Sequence, residues 1–233
     1  MSSEPSHTLV RRSLRGFVAV VLAALAAAGV WAIWTAPRDA TGLLGPVTEH
    51  LEASGVESAV TATLLNFRAW DTLLEVTVLV LVLVGIWSLG ERTAGAGAKP
   101  VPRLLEVARS LLTPVILVVA GYLLWAGARA PGGAFQAGAV AASAGILVLL
   151  VDDEAFALRP LVYRLSVVAG LLVFMAVGFG GLAAGGDFLA YPTGWAKGLI
   201  LVVEAASAVS IAACLLGMFA GLPEKLLRDE SET

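Results

Sequence analysis

Long apolar runs separated by short polar segments dominate this chain of 233 residues. Uncharged stretches occupy residues 17–34, 110–128, 130–151 and 165–186, and 198–222 is uncharged apart from Glu204. A shorter run, 76–90, can be extended backwards through Ser58. Each is close to the ~20 residues a helix needs to cross ~30 Å of hydrocarbon. None alternates with the two-residue period of a barrel strand, and only helices or closed barrels satisfy their backbone polar groups in lipid. The pattern predicts an all-α, polytopic membrane protein with about six transmembrane helices. Composition agrees: 58% of residues are hydrophobic and 14% charged, against about 25% charged in soluble domains.

The second run is unusual. A continuous helix from Ser58 to Gly90 would be about 50 Å long, so it must protrude or tilt. Residues 93–102, TAGAGAKPVP, form a flexible linker between a two-helix front and a four-helix back. Arg11, Arg12, Arg15, Arg92, Lys99, Arg103, Arg109, Arg159, Arg164, Lys225 and Arg228 would share one side of the membrane. Only Arg38, Arg68, Arg129 and Lys197 would lie on the other. The positive-inside rule then places both termini in the cytoplasm. Arginines before the first apolar run suggest a signal peptide, but that run exceeds a signal core and is expected to be a retained helix.

Acids inside apolar runs carry the candidate chemistry. Glu204 lies about two turns into its run, where an acid costs roughly 2.5–3.5 kcal/mol at the bilayer centre. It shares a helical face with Ser207 and, less closely, Ala208 and Ile211. Asp71 and Glu75 are spaced i, i+4, and Arg68 precedes Asp71 by three residues. Carboxylates so placed can bind a cation or pass a proton. The plainer alternatives are a protonated Glu204 that fixes helix packing and an Arg68–Asp71 pair that caps a helix. Gly138, Ala142 and Gly145, and Gly178, Gly181 and Gly185, follow small-residue spacing for contacts between neighbouring helices. Thr113–Pro114 reads as a helix start or a kink with a back-bonded hydroxyl.

Other chemistries have no support. Cys214 is a lone cysteine, and His7 and His50 lie in separate polar segments without metal-ligand spacing. Neither a nucleotide loop nor a nucleophile triad is present, so no cofactor and no enzymatic activity are expected. The net charge of −3, with scattered basic residues, excludes a nucleic-acid footprint.

Two segments resemble one family. Residues 66–75, NFRAWDTLLE, followed by an apolar helix, resemble the carboxy-terminal tail of the large MrpA subunit of Mrp-type sodium/proton antiporters and the hydrogenase subunit MbhE. Residues 131–138, PGGAFQAG, after LLTPVILVVAGYLLWAGARA, resemble the MnhB/MrpB subunit, as does the final apolar run with Glu204. Glycines of the first pattern are replaced by Ala69 and Leu74, and its Phe by Trp70. In the second, Ala134 and Ala137 replace glycines, and a histidine before the loop is absent.

The resemblance implies a domain order of 1–95 (MrpA-tail-like), 96–103 (linker) and 104–233 (MnhB-like). It further implies a subunit of a multisubunit Na+/H+ antiporter in a bacterial or archaeal cell membrane. Its partners would be MrpA, MrpC, MrpD, MrpF and MrpG types, with sodium ions and protons as cargo. Asp71, Glu75 and Glu204 are the ion-pathway candidates. Arg68, Thr113, Pro114, Pro131, Gly132, Gly133, Phe135, Gln136 and Gly138 are expected in motif or structural roles. A tight turn at Pro131–Gly133 would let the next helix begin beside its neighbour, with Gln136 available to a carboxylate or water. The alternatives are an ion-translocating module of a membrane-bound hydrogenase or related respiratory complex, and a purely structural assembly subunit.

Overall fold

The computed structural model describes residues 4–36, 42–88, 101–152, 160–192 and 194–221, with side chains from residue 16 onward and excluding residue 160. The linker residues 93–100, and the basic residues Arg38, Arg92, Lys99, Arg159, Lys225 and Arg228, lie outside the described set. Two compact units are present, Met1–Gly42 and Leu43–Thr233. The first contains α1 (Glu4–Thr35), in which the helix continues through the arginine-bearing segment ahead of the apolar run. Its described side chains, residues 16–36, carry no charge, as suits a helix that crosses lipid.

The second unit begins with α2 (Leu44–Glu49), a 3-10 turn (Glu52–Ser54) and α3 (Ala59–Ala62), which runs into a π-helical turn (Thr63–Phe67). Five long helices follow: α4 (Ala69–Ser88), α5 (Arg103–Ala126), α6 (Ala134–Val151), α7 (Pro160–Ala183) and α8 (Ala196–Ala220). With α1 they make six helices long and apolar enough to cross a membrane among the described residues. The chain is thus an all-α, multi-pass membrane protein.

The second apolar run is not one continuous helix. A π turn and a break at Arg68, with φ −126° and ψ 36°, separate α3 from α4. The excess length is therefore absorbed by a change of direction, and α4 alone, 20 residues, is the spanning element. The chain gains a bend where an unbroken helix would have needed to tilt or protrude.

Helix α8 is the centre of the bundle. It packs against α4, α5, α6 and α7, and 56% of its spanning window is buried, against 28% or less in every other spanning helix. Small side chains make this possible. A Cβ at Gly138 would lie 2.8 Å from both the Ala208 carbonyl oxygen and Ile211 Cβ, and Gly145 lies against Leu216. On the other flank, Ser210 Oγ donates to the Val167 carbonyl and Tyr163 Oη donates to the Ala213 carbonyl at 3.1 Å. Close approach and interhelical hydrogen bonds hold the helices together where lipid supplies no hydrophobic drive between them.

Two expectations need correction. Gly178 and Gly181 do not meet a neighbouring helix. Gly178 makes room for the Phe188 ring, and Gly181 for the backbone of Asp187 and Ala190, in the loop that follows α7; Gly185 falls beyond the helix end. Pro114 does not start a helix, because α5 begins at Arg103 and runs through it. Thr113 Oγ1, moreover, has no hydrogen-bond partner, so the back-bonded hydroxyl is absent.

Gly138→Ala should destabilise the bundle by about 1–3 kcal/mol, because the added methyl meets the backbone of α8. Gly121→Ala, where nothing lies within 4 Å of an added Cβ, should leave stability unchanged or slightly higher. Thermal unfolding of the purified protein in detergent checks both.

Candidate functional site: a polar cavity around Glu204

Glu204 sits on the buried face of α8, two turns from the helix start, and is 5% exposed. Its Oε2 and the Oγ of Ser207, one turn later and 1% exposed, have no hydrogen-bond partner. Both residues line a cavity of about 280 Å³. Leaving polar atoms buried and unpaired costs on the order of 1–3 kcal/mol each, more for charged groups. The space beside them can be occupied by water or a cation, and its volume corresponds to several water molecules at ~30 Å³ apiece.

One wall is the turn between α5 and α6. Gly133 N donates to the Leu123 carbonyl at 3.0 Å, as does Gly127 N at 3.2 Å. Gly133 has φ +107° and ψ −169°, a conformation essentially confined to glycine. A Cβ there would fall 2.8 Å from Glu204 Oε1, and one at Gly127 would fall 3.3 Å from the same oxygen. The carboxylate therefore rests against bare backbone. Helix α6 starts immediately afterwards, so Ala134, Phe135 and Gln136 of its first turn, with backbone N–H groups lacking intrahelical partners, line the same cavity.

The opposite wall comes from α3, the π turn and the start of α4. Glu57 N and Ser58 N both donate to the Ala128 carbonyl, at 2.9 and 3.0 Å, and Thr61 Oγ1 donates to the Gly127 carbonyl. These bonds tie α3 to the glycine turn. In the π turn, Thr72 Oγ1 donates to the Leu64 carbonyl at 2.7 Å and Tyr191 Oη donates to the Leu65 carbonyl at 3.2 Å. The Tyr191 hydroxyl, in the loop before α8, is pushed up to about 12 by burial and secondarily by the charge of Glu204. Thr72 and Glu75 of α4 also line the cavity, and Glu75 stands exposed at its open side beside Gln136 and Phe135.

Of the three acids singled out in the sequence, Glu204 and Glu75 meet at one cavity. Asp71 is not among its lining residues and is ion-paired to Arg68. That pair is half exposed at both ends, and pairs so exposed contribute at most about 1 kcal/mol in water. Glu57 and Arg129 form a longer contact, 3.7 Å, and the Arg129 guanidinium lies 4.9 Å from the Trp125 ring centroid.

Comparison with known proteins assigns the scaffold. Residues 104–221 match the model of a domain related to the MnhB subunit of Na+/H+ antiporters, just over half of the chain. The chain belongs to this MnhB-related family. The B-type subunit of the Na(+)/H(+) antiporter of Bacillus subtilis is 33% identical over 94 residues, covering 40% of this chain and 66% of the relative. Its counterpart in Alkalihalophilus pseudofirmus is 35% identical over 88 residues, covering 37% and 61%. The chain thus spans a little under two thirds of each relative's length. Among solved structures, a chain of the membrane-bound sulfane sulfur reductase, an archaeal respiratory membrane complex, matches with TM-score 0.68 and 25% identity, covering 91% of this chain and 97% of that one. A chain of the Mrp complex from Dietzia sp. DQ12-45-1b shares the fold, with TM-score 0.61, 23% identity, and coverage of 100% and 27%.

The MnhB-related span contains the glycine turn, Phe135, Gln136, Gly138, Thr113, Pro114 and Glu204, whereas Arg68, Asp71 and Glu75 precede it. Gly138 lies farther along α6, against α8, and Thr113 and Pro114 lie in α5, so none of these three lines the cavity. Sequence reasoning missed Thr61, Thr72 and Tyr191. Each is a hydroxyl that bonds a backbone carbonyl outside the ordinary helical spacing, 66 and 126 residues away for Thr61 and Tyr191 and eight for Thr72, a pairing without a periodic signature.

Gly133→Ala should cost about 2–3 kcal/mol, since it combines a backbone conformation alanine avoids with a clash on Glu204. Combining it with Glu204→Ala should recover part of the loss, read as a double-mutant cycle in thermal unfolding.

Proposed function

We propose that this chain is a membrane subunit of a multisubunit Na+/H+ antiporter and that Glu204, with Glu75, forms part of its ion path. The observation that carries the reading is the unpartnered Glu204 Oε2 beside the unpartnered Ser207 Oγ, inside a cavity at membrane depth. A buried carboxylate with a hydroxyl beside it offers hard oxygen ligands to a monovalent cation and an acceptor to a proton. If both compete for one carboxylate, occupancy by one expels the other, which is the elementary act of exchange. Glu75, at the open side, would concentrate cations at the entrance. Asp71 belongs to the periphery, neutralised by Arg68.

The names of the curated relatives and the family match support the assignment to an antiporter, and the chain would act as a transporter subunit rather than an enzyme. Its partners would be antiporter membrane subunits of the MrpA, MrpC, MrpD, MrpF and MrpG types, in a bacterial or archaeal cell membrane. On this reading residues 1–95 correspond to an MrpA-type tail joined through 96–103 to the MnhB-like part, with both termini cytoplasmic by the distribution of Lys and Arg.

A second reading rests on the archaeal respiratory complex, whose chain is matched over nearly its whole length: the subunit would then belong to the ion-translocating module of a redox-driven assembly. Mass spectrometry of the intact purified complex separates the two, since iron–sulfur or nickel-site subunits accompany only the second.

Glu204→Gln keeps the shape and removes the charge. In everted vesicles carrying the whole complex it should lower sodium-dependent proton exchange by about tenfold or more, the scale of a lost interaction with a charged group. Glu75→Gln should lower it less, with a raised apparent KM for sodium. Unchanged exchange in both variants would sink the proposal.

A further inference from the structure

The loop between α7 and α8 is fastened down more firmly than a connection requires. The Phe188 ring stacks on Trp70 at 4.7 Å between centroids, meets Phe179 edge-on at 5.8 Å, and fills the space left at Gly178. Leu189 is 7% exposed and adopts φ +64°, a left-handed conformation disfavoured for leucine. It persists because Leu189 belongs to the apolar cluster formed with Val47, Val56, Leu65 and Val203, against which Tyr191 packs. The third fastening is the bond from Tyr191 Oη to the Leu65 carbonyl.

Leu65 is where this loop meets the cavity. It lies in the π turn, is 4% exposed, and lines the space around Glu204. Turns of this kind are sites where a helix changes register at small cost, and they recur at functional hinges. Here the turn is held by two side-chain hydroxyls, Thr72 within the same run and Tyr191 from across the bundle. Of the α8 residues, the apolar cluster against which Tyr191 packs takes Ile200 and Val203, in the first two turns, whereas the cavity takes Val203, Glu204, Ser207 and Ile211, farther along the helix.

We propose that Tyr191 is the latch on the entrance to the Glu204 cavity from the end at which α8 begins: its bond to the Leu65 carbonyl holds the π turn against the α7–α8 loop, and breaking the bond admits water and hydrated cations to Ser207 and Glu204. The inference concerns access to the cavity and does not depend on which ion passes. Tyr191 is thereby a positioning residue that acts through Leu65.

Tyr191→Phe tests it, because the ring and its packing remain while the bond is lost. A Ser207→Cys reporter is introduced into the full chain, assembled in native membranes that have been opened to expose both faces. The membrane-impermeant cationic thiol reagent methanethiosulfonate ethyltrimethylammonium is then added, and labelling at each cysteine is followed by peptide mass spectrometry. The native Cys214, 0% exposed and in the separate cluster with Tyr163 and Leu83, serves as internal control. Tyr191→Phe should raise the labelling rate at position 207 about three- to tenfold, as expected for one lost hydrogen bond, with no change at Cys214. An unchanged rate at 207, or an equal rise at both cysteines, which would mean general loosening, overturns the proposal. Labelling reads access whether or not ions cross, so this result and the exchange assay on Glu204→Gln can fail independently.

Discussion

The structure depends on placing a carboxylate against a turn that has no side chains. Glu204 Oε1 approaches Gly133 more closely than a methyl group would allow, and Gly127 lies close behind it. Bulk water does not surround an acid inside the bundle, so the site is built from what helices can offer: the start of α6, the hydroxyl of Ser207, and a cavity that leaves one carboxylate oxygen free. The Pro131–Gly132–Gly133 sequence is thus as much a requirement of α8 as of the loop that contains it. Gly133 must be glycine both for its backbone conformation and because the acid lies against it, whereas Gly127 and Gly132 are required by the close crossing of backbone within the turn.

That constraint propagates. For Glu204 to face protein rather than lipid, α8 must be surrounded, and it is the most buried of the spanning helices. Surrounding a helix without a hydrophobic drive requires close approach, supplied at Gly138 and Gly170, where an added Cβ would meet the α8 backbone, and at Gly145 and Gly217, which make room for the side chains of Leu216 and Tyr163. It also requires hydroxyls that bond across helices, supplied by Ser210 and Tyr163. The same logic explains α3 and the π turn. These short pieces are too irregular to cross lipid unaided; the Ala128 carbonyl accepts from the backbone leading into α3, the Gly127 carbonyl accepts from the Thr61 hydroxyl, and Thr72 and Tyr191 donate to carbonyls of the π turn.

Much of this was legible in the residues. Six apolar runs specify six helices because lipid tolerates little else, and Glu204, Ser207, Ala208 and Ile211 share a buried face because the 3.6-residue period leaves no freedom once one of them turns inward. The PGGAFQAG octet located a turn beside the site. The break at Arg68 was not legible: residues 58–68 are apolar enough to read as helix, and a π turn carries no compositional mark. Nor could spacing show that Gly178 and Gly181 serve Phe188 and its loop. Small residues announce a close approach without naming what approaches. Tyr191 stayed hidden because its partner, the Leu65 carbonyl, is 126 residues away along the chain.

The open side of the cavity carries the argument one step beyond the single chain. Glu75, Gln136 and Phe135 are exposed where α4 and α6 flank α8. Arg68 is already committed to Asp71, and among the described residues no cation pairs with Glu75. Exposed to acyl chains, a carboxylate and an amide would be costly. On the proposed reading they are neither solvated by lipid nor satisfied within Leu43–Thr233, and a neighbouring subunit would complete the cavity. An ion path divided in this way gives each subunit half a site, and exchange then requires the assembled complex. On that reading the half held here is the buried one: Glu204 beside its glycine turn would fix where an ion stops, and the neighbour would decide how it arrives.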